Sequence, residues 1–243
     1  MLGNPRIIGY SVGYRSYDKI FKSASLPVSI GDQFTIYQFN CFENAQLYLG
    51  IEANVWSVFK AKPESLSLLN ADYYVAIPLI YLNDRFSLRF RISHQSSHLG
   101  DELLIEKAHI KRLNPSMEAV DLFVGYDLTD DFTLFGGAGR VIRCDNHYKI
   151  KPHYFVAALN YQMTDFKVYL GNLEAVPYIG LYSNIAEDNS WRMDNTITLG
   201  YQCDKSYGHK LRLYLEGRDG FSNDGQFSKK RVQTVAIKLL YGY

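Results

Sequence analysis

A histidine and a serine two residues apart, His94 and Ser96, carry the spacing in this sequence best suited to catalysis. In an extended strand, residues i and i+2 project from the same face. An imidazole at that spacing can take the proton of the serine hydroxyl and so make it a nucleophile. The pattern predicts a hydrolytic site, and the alternative is a pair of polar residues beyond the edge of an apolar surface.

A third residue is needed to orient the imidazole and to stabilise its charged form. Glu118 lies after the next loop, in phase with the apolar positions of the segment that follows it. If the two strands pair symmetrically around that loop, His94 lies beside Glu118 and Ser96 beside Ser116. We therefore expect a catalytic set in which Ser96 is the nucleophile, His94 the base and Glu118 the third member.

The elements that must position these residues are strands with one apolar face. In the segment that contains His94, Phe86, Leu88, Phe90 and Ile92 alternate with polar residues. Such alternation with period two indicates a half-buried strand. About twelve segments of this kind are predicted, near 6–15, 28–40, 45–60, 72–82, 85–98, 116–128, 131–143, 151–163, 165–183, 191–203, 209–219 and 228–243.

The strand lengths and the connections favour a membrane barrel. Several segments exceed ten residues, which suits a tilted membrane strand. Tight connections at 42–44, 83–84, 129–130 and 164 alternate with long ones at 16–27, 61–71 and 99–115. Outer-membrane barrels have short inner turns, long outer loops and an even number of strands. The predicted fold class is all-β, a single transmembrane antiparallel β-barrel domain of about 12 strands over residues 1–243. A soluble β-sandwich is the alternative.

Composition narrows the functional classes. The chain of 243 residues is 47% hydrophobic and 15% aromatic, with 20 tyrosines and a formal net charge of +1. The near-neutral charge argues against a nucleic-acid-binding protein. No apolar window reaches the 18 residues of a membrane helix, whereas a barrel with a polar interior needs no such window. We expect the outer membrane of a diderm bacterium as the location.

In a barrel, the apolar face of the strand at 85–98 meets lipid, and His94 and Ser96 continue that face at its outer end. Polar groups at that position are costly unless they lie near the interface or have a function. Weaker metal candidates are Asp101 and Glu102, whose oxygens would suit a calcium ion. The segment that they begin, 101–112, is expected to form a short helix over the barrel rim or a capped turn.

The opposite face carries many charges, at Glu52, Arg89, Arg91, Asp121, Arg212, Glu216 and Arg218. These residues predict either a selective pore or an interior closed by salt bridges. The glycines in 136–139 lack the pattern of a phosphate loop and are expected to allow strand curvature or the close approach of an aromatic ring.

Five blocks of the sequence carry a resemblance to one bacterial family. They are 69–73, 94–102 (HQSSHLGDE), 114–121, 135–139 and 219–227. The chain resembles the domain of unknown function 1207, found in chlamydiae and other diderm bacteria. The resemblance implies an outer-membrane barrel and no particular activity.

The His-x-Ser pair is also similar, more loosely, to that of two outer-membrane lipid hydrolases, phospholipase A and lipid A deacylase. This likeness implies an acyl-ester hydrolase that acts on outer-leaflet lipids, phospholipid or lipid A, with Glu118 as the third member as in the deacylase. It implies no cofactor, apart from an optional calcium ion. Ser97 stands where those enzymes have Asn. The alternative function is a non-catalytic surface protein or a porin-like barrel.

Overall fold

The computed structural model describes residues 1–39, 45–61, 65–171, 173–204 and 208–243. Twelve antiparallel strands form a closed ring, in which β1 pairs with β13 and β10 pairs with both β8 and β11. The strands of the ring are β1 (Gly9–Asp18), β2 (Ser23–Phe39), β3 (Gln46–Ala61), β4 (Leu66–Asn83), β5 (Phe86–Leu99), β6 (Ser116–Asp127), β7 (Phe132–Cys144), β8 (His153–Gln162), β10 (Leu173–Ala186), β11 (Met193–Asp204), β12 (Lys210–Phe221) and β13 (Arg231–Gly242), and a thirteenth strand, β9 (Val168–Leu170), lies outside it.

The predicted all-β class and the predicted twelve strands of the barrel are confirmed. One predicted segment, 165–183, is divided in the structure. Its first part is the three-residue strand β9, which pairs with the start of β10 and forms a short hairpin beside the ring.

The connection after β5 is long, as predicted at 99–115, but those predicted at 16–27 and 61–71 are shorter, because β1 continues to Asp18 and β2 begins at Ser23, while β3 continues to Ala61 and β4 begins at Leu66. Two residues join β4 to β5, whereas sixteen residues, 100–115, join β5 to β6 and include the helix α1 (Asp101–Glu106). This long connection shares the outer end of the barrel with the connections 145–152 and 222–230. The tight connection predicted at 42–44 lies outside the described residues. Among the described residues, no helix is long and apolar enough to cross a membrane.

The distribution of side chains is that of a membrane barrel. Apolar residues such as Ile92 and Ile237 are 49% and 47% exposed on the outer surface, whereas Glu52 and Asp121 are buried inside. A soluble sandwich would bury the apolar face, so the sandwich alternative is wrong.

Ion pairs fill much of the interior. Arg91 donates two hydrogen bonds to Asp121, at 3.0 and 2.7 Å, and Lys238 donates one to Glu216 at 2.7 Å. Charges that leave water need such partners. The expectation of salt bridges between inward-facing charges is thus met at these positions.

Residues 1–8, which precede β1, lie inside the barrel. Arg6 pairs with the buried carboxylate of Asp72 and lies over the ring of Trp56, 4.7 Å from its centroid. The backbone N–H of Leu2 donates to Asn160 at 2.8 Å. The sequence predicts a first strand that begins at residue 6. In the structure β1 begins at Gly9, because residues 6–8 bind the interior wall and do not pair with a neighbouring strand.

The outer end of the barrel is covered by a small apolar cluster. Phe21 from the β1–β2 connection, Leu103 from α1 and Phe227 from the β12–β13 connection pack against the inward-facing Leu99. The rings of Phe21 and Phe227 meet edge to face at 5.5 Å. The predicted short helix is therefore present, and it anchors the cover through Leu103.

Candidate active site

The register between β5 and β6 matches the prediction. His94 lies opposite Glu118, and Ser96 lies opposite Ser116. The backbone N–H of Ser97 donates to the carbonyl of Pro115 at 2.9 Å. Because hydrogen-bonded and non-hydrogen-bonded pairs alternate along an antiparallel ladder, 94/118 and 96/116 are non-hydrogen-bonded pairs, in which side chains approach most closely.

These side chains lie on the outer surface. Ser97 is buried and donates to Asn70 inside the barrel, so its neighbour Ser96 has the opposite orientation. The residues opposite His94 and Ser96 on β4 are Val75 and Tyr73, which are 42% and 48% exposed. Since β5 ends at the outer rim, the site lies near the outer edge of the apolar band.

The geometry brings two of the three predicted residues into contact. His94 donates from Nδ1 to Glu118 Oε1 at 3.1 Å, and the two side chains are 44% and 29% exposed. The other ring nitrogen, Nε2, is left for the hydroxyl of Ser96 on the same face. No hydrogen bond joins Ser96 to His94 within the described part of the chain. Such bonds are often long in the absence of substrate and tighten in the reactive complex.

Sequence reasoning missed a fourth side chain, Arg143. Its Nε lies 3.8 Å from Glu118 Oε2. A β-bulge causes this contact, since β7 pairs Val141 with Ala119 and then Arg143 with Glu118, leaving Ile142 as an extra residue. The bulge reverses the parity of β7 at its outer end, so alternation alone places Ile142, not Arg143, beside Glu118.

A second histidine flanks Ser96. His98 projects from the same face, meets the ring of Tyr73 at 5.7 Å and lies 3.3 Å from the Asn114 amide oxygen. An amide does not stabilise an imidazolium as a carboxylate does. The geometry therefore favours His94 as the base.

Polar character alone does not distinguish the site from the rest of the outer rim. On the opposite wall, Ser183, Asn195, Asp219 and Gln233 form a row of laterally paired, outward-facing residues at a similar distance from the strand ends. That row contains no histidine. The arrangement of nucleophile, imidazole and carboxylate is what distinguishes the site on β5 and β6.

The candidate calcium ligands do not form a cluster. Asp101 and Glu102 lie in the first turn of α1, and Asp101 is exposed and pairs with Arg112. No group of three or more His, Cys, Asp or Glu side chains that could hold a metal ion occurs among the described residues.

A family model described as "Protein of unknown function (DUF1207)" matches residues 1–243. A search of the curated proteins finds no match.

Solved structures share the fold. The outer membrane phospholipase (OMPLA) dimer with bound calcium from Salmonella typhi has a TM-score of 0.65 and 12% identity, covering 98% of this chain and 93% of that chain. Outer membrane phospholipase A from Escherichia coli has a TM-score of 0.61 and 12% identity, with coverage of 98% and 93%. LpxR from Salmonella typhimurium has a TM-score of 0.40 and 11% identity, covering 96% of this chain and all of that chain. The protein is thus an outer-membrane β-barrel.

Proposed function

Since the chain belongs to the DUF1207 family, whose function is unknown, we propose from the geometry of its outer surface that it is an acyl-ester hydrolase of outer-leaflet lipids. One observation carries the proposal. The 3.1 Å contact between His94 and Glu118 lies on the lipid-facing side of the wall, with Ser96 two residues from His94. A substrate lipid would reach this site laterally from the bilayer and would need no deep pocket.

The chemistry follows from the two ring nitrogens. Nδ1 of His94 is held by Glu118, so Nε2 accepts the proton of Ser96 as the serine oxygen attacks the ester carbonyl. His94 then gives this proton to the departing alcohol, which leaves an acyl group on Ser96. Water attacks the acyl group in the second half of the reaction, with His94 again as the base, and releases the fatty acid.

Ser116 is suited to support this reaction. It lies opposite Ser96 in a non-hydrogen-bonded pair, where the two Cβ atoms are about 5 Å apart. Its hydroxyl donates to no other described residue. It can therefore donate to the carbonyl oxygen as negative charge develops there.

The fold agrees with the proposal, because proteins named outer membrane phospholipase have the same barrel. The Salmonella typhi protein has bound calcium, but Asp101 of this chain is engaged by Arg112. These residues do not fit a calcium site, and no step of the mechanism depends on a metal ion here.

The test is acyl release from a phospholipid and from lipid A by the purified, folded barrel. We expect release by the wild type and its loss in Ser96→Ala. The matched control is Ser183→Ala, which removes an outward-facing serine from the opposite wall and should leave the rate unchanged. No release by the wild type, or equal release by wild type and Ser96→Ala, would reject the hydrolase.

A pore is the competing function, favoured by the space inside the barrel. A cavity of about 450 Å³ lies beside residues 1–8 and is lined by side chains from both ends, among them Gln33 and Asn189. Arg89 and Arg91 face it, paired with Glu52 and Asp121, and would be the residues that set the ion selectivity of a pore.

A further inference from the structure

A group of basic side chains adjoins the site on the β7 side. Arg140 and Arg143 both project outward from the outer half of β7, where Arg143 is 81% exposed. The next strand, β8, pairs with β7 and begins with the outward-facing His153. We name Arg140 and Arg143 the basic patch.

Little on the protein neutralises this patch. Arg143 has one contact with a carboxylate, the 3.8 Å approach to Glu118. The side chain of Arg140 makes no hydrogen bond or ion pair with any residue that the structure describes. By contrast, the outward-facing Arg231 on the opposite wall is held by two contacts to Asp219, at 3.1 and 3.0 Å. The guanidinium of Arg140 thus has no partner among the described residues, and that of Arg143 has donors to spare beyond its one contact with Glu118, so both can bind an external anion.

The patch lies at the level of the lipid headgroups. Trp191 is 47% exposed and packs against Phe155, with ring centroids 5.9 Å apart. Exposed tryptophan marks the boundary between apolar band and water. Arg140 pairs across the strands with His153, two residues closer to the rim than Phe155. An anion at this depth belongs to the interface.

The patch is within reach of a lipid bound at Ser96. Two strand spacings of about 4.8 Å separate β7 from β5, which is about 10 Å. Long arginine side chains shorten the remaining gap, and an arginine fork matches the geometry of phosphate oxygens.

We propose that Arg140 and Arg143 bind the phosphate group of an outer-leaflet lipid. The binding itself needs no catalysis. The assignment of this phosphate to the substrate, which makes the substrate a phosphorylated lipid, rests on the proposed hydrolase function.

Binding is measured in the Ser96→Ala background, where no turnover occurs. Short-chain phosphatidylglycerol, a diacylglycerol with the same acyl chains and inorganic phosphate are offered separately to the folded barrel, and the retained molecules are counted by native mass spectrometry. Each surface arginine contributes about fivefold to the binding of an anionic lipid. We expect Arg140→Gln to weaken phosphatidylglycerol binding about fivefold and the double variant with Arg143→Gln about 25-fold.

The control is Arg85→Gln, which removes an exposed arginine from the inner end of the barrel and should change nothing. Diacylglycerol binding should be the same in every variant. Equal phosphatidylglycerol binding by the double variant and its parent would overturn the proposal. Inorganic phosphate bound as tightly as the lipid would also overturn it, because the patch would then bind a soluble anion. A chain with Ser96 intact that binds the lipid through these arginines and releases no fatty acid would reject the hydrolase and keep the patch.

Discussion

Replacement of Glu118 by Gln separates the two tasks of the proposed third member. The amide of Gln keeps an oxygen that accepts from Nδ1 of His94, so the ring orientation is retained. The negative charge that stabilises the imidazolium is lost. The proposed mechanism therefore predicts a smaller effect for Glu118→Gln than for Glu118→Ala, which removes both contributions.

The expected loss in kcat can be estimated from how exposed the side chains of His94 and Glu118 are to solvent. A hydrogen bond to a charged group contributes about 1.5–3 kcal/mol, whereas an exposed ion pair contributes about 0.2–1 kcal/mol. His94 and Glu118 are 44% and 29% exposed, and this partial exposure places their interaction in the lower half of the first range, at about 1.5–2.3 kcal/mol. Since about 1.4 kcal/mol is a factor of ten in rate, we expect Glu118→Gln to lower kcat about 10- to 50-fold. For comparison, replacing a fully buried third member of a catalytic triad lowers kcat about 10⁴-fold in a known hydrolase.

The assay is the initial rate of fatty-acid release under substrate saturation, so that kcat and KM are obtained separately. The expected order of kcat is wild type, then Glu118→Gln, then Glu118→Ala, with Ser96→Ala and His94→Ala inactive. The control is His98→Ala, which should keep kcat because its partner is an amide. A Glu118→Ala variant with wild-type kcat would refute the role of Glu118, and an inactive His98→Ala would show that the base was assigned to the wrong ring.

Two further predictions concern the outer loops and the wall. Burial alone raises the pKa of Asp224, but the charges of Arg15, Arg6 and Arg218 together outweigh it and hold this pKa below its usual value of 3.8. The stability that Asp224 contributes is complete above pH 3.8 and is lost as the pH falls through the lower pKa of the folded state. Amide hydrogen exchange in 222–230 should therefore become faster below about pH 4. The increase should be smaller in Asp224→Asn, which has no carboxylate to protonate. A Cβ at Gly139 would overlap the ring of Tyr154, so Gly139→Val should lower the free energy of unfolding, measured in urea, by about 1–3 kcal/mol. At Gly136 a Cβ would meet open space, so Gly136→Ala should leave the free energy of unfolding unchanged.

The site was largely predictable because two rules fix it. Alternation gives the face of each residue on a strand, and the long loop between β5 and β6 gives the centre of the hairpin. These two rules predict the pairing of His94 with Glu118 from the sequence, and the structure confirms that pairing. The close approach of aromatic rings to glycines in 136–139 was predictable in the same way, because a missing side chain leaves room on a packed wall.

Two features had no signal in the sequence. The bulge at Ile142 turns Arg143 toward Glu118, and because only two residues of β7 follow it, the stretch of reversed parity is too short to be recognised as alternation. Residues 6–8 resemble the start of a strand, but they bind the interior wall through Arg6 and Asp72. That contact joins residues 66 positions apart, and no local pattern encodes it.

The hydrolase and the pore can be tested separately, because the proposed catalytic residues lie on the outer surface of the barrel wall and the cavity lies inside the barrel. The space of about 450 Å³ holds about fifteen water molecules at their liquid volume of about 30 Å³ each. Residues 1–8 also lie in the bore, where Arg6 pairs with Asp72 and is bonded to the carbonyl of Asn223. A path obstructed in this way should carry little current.

We therefore expect the full chain in a planar bilayer to show no steady open-channel conductance, and a chain without residues 1–7 to conduct. Arg6→Ala keeps the length of the segment, removes its anchor and should give intermittent openings. The altered migration of a folded barrel on an unheated gel shows that each variant has folded. Steady conductance in the full chain, reduced by Arg89→Gln, would establish the pore and show that residues 1–8 do not obstruct it. Acyl release would still have to be tested on its own, because an open bore leaves His94, Ser96 and Glu118 where they are, on the lipid side of β5 and β6.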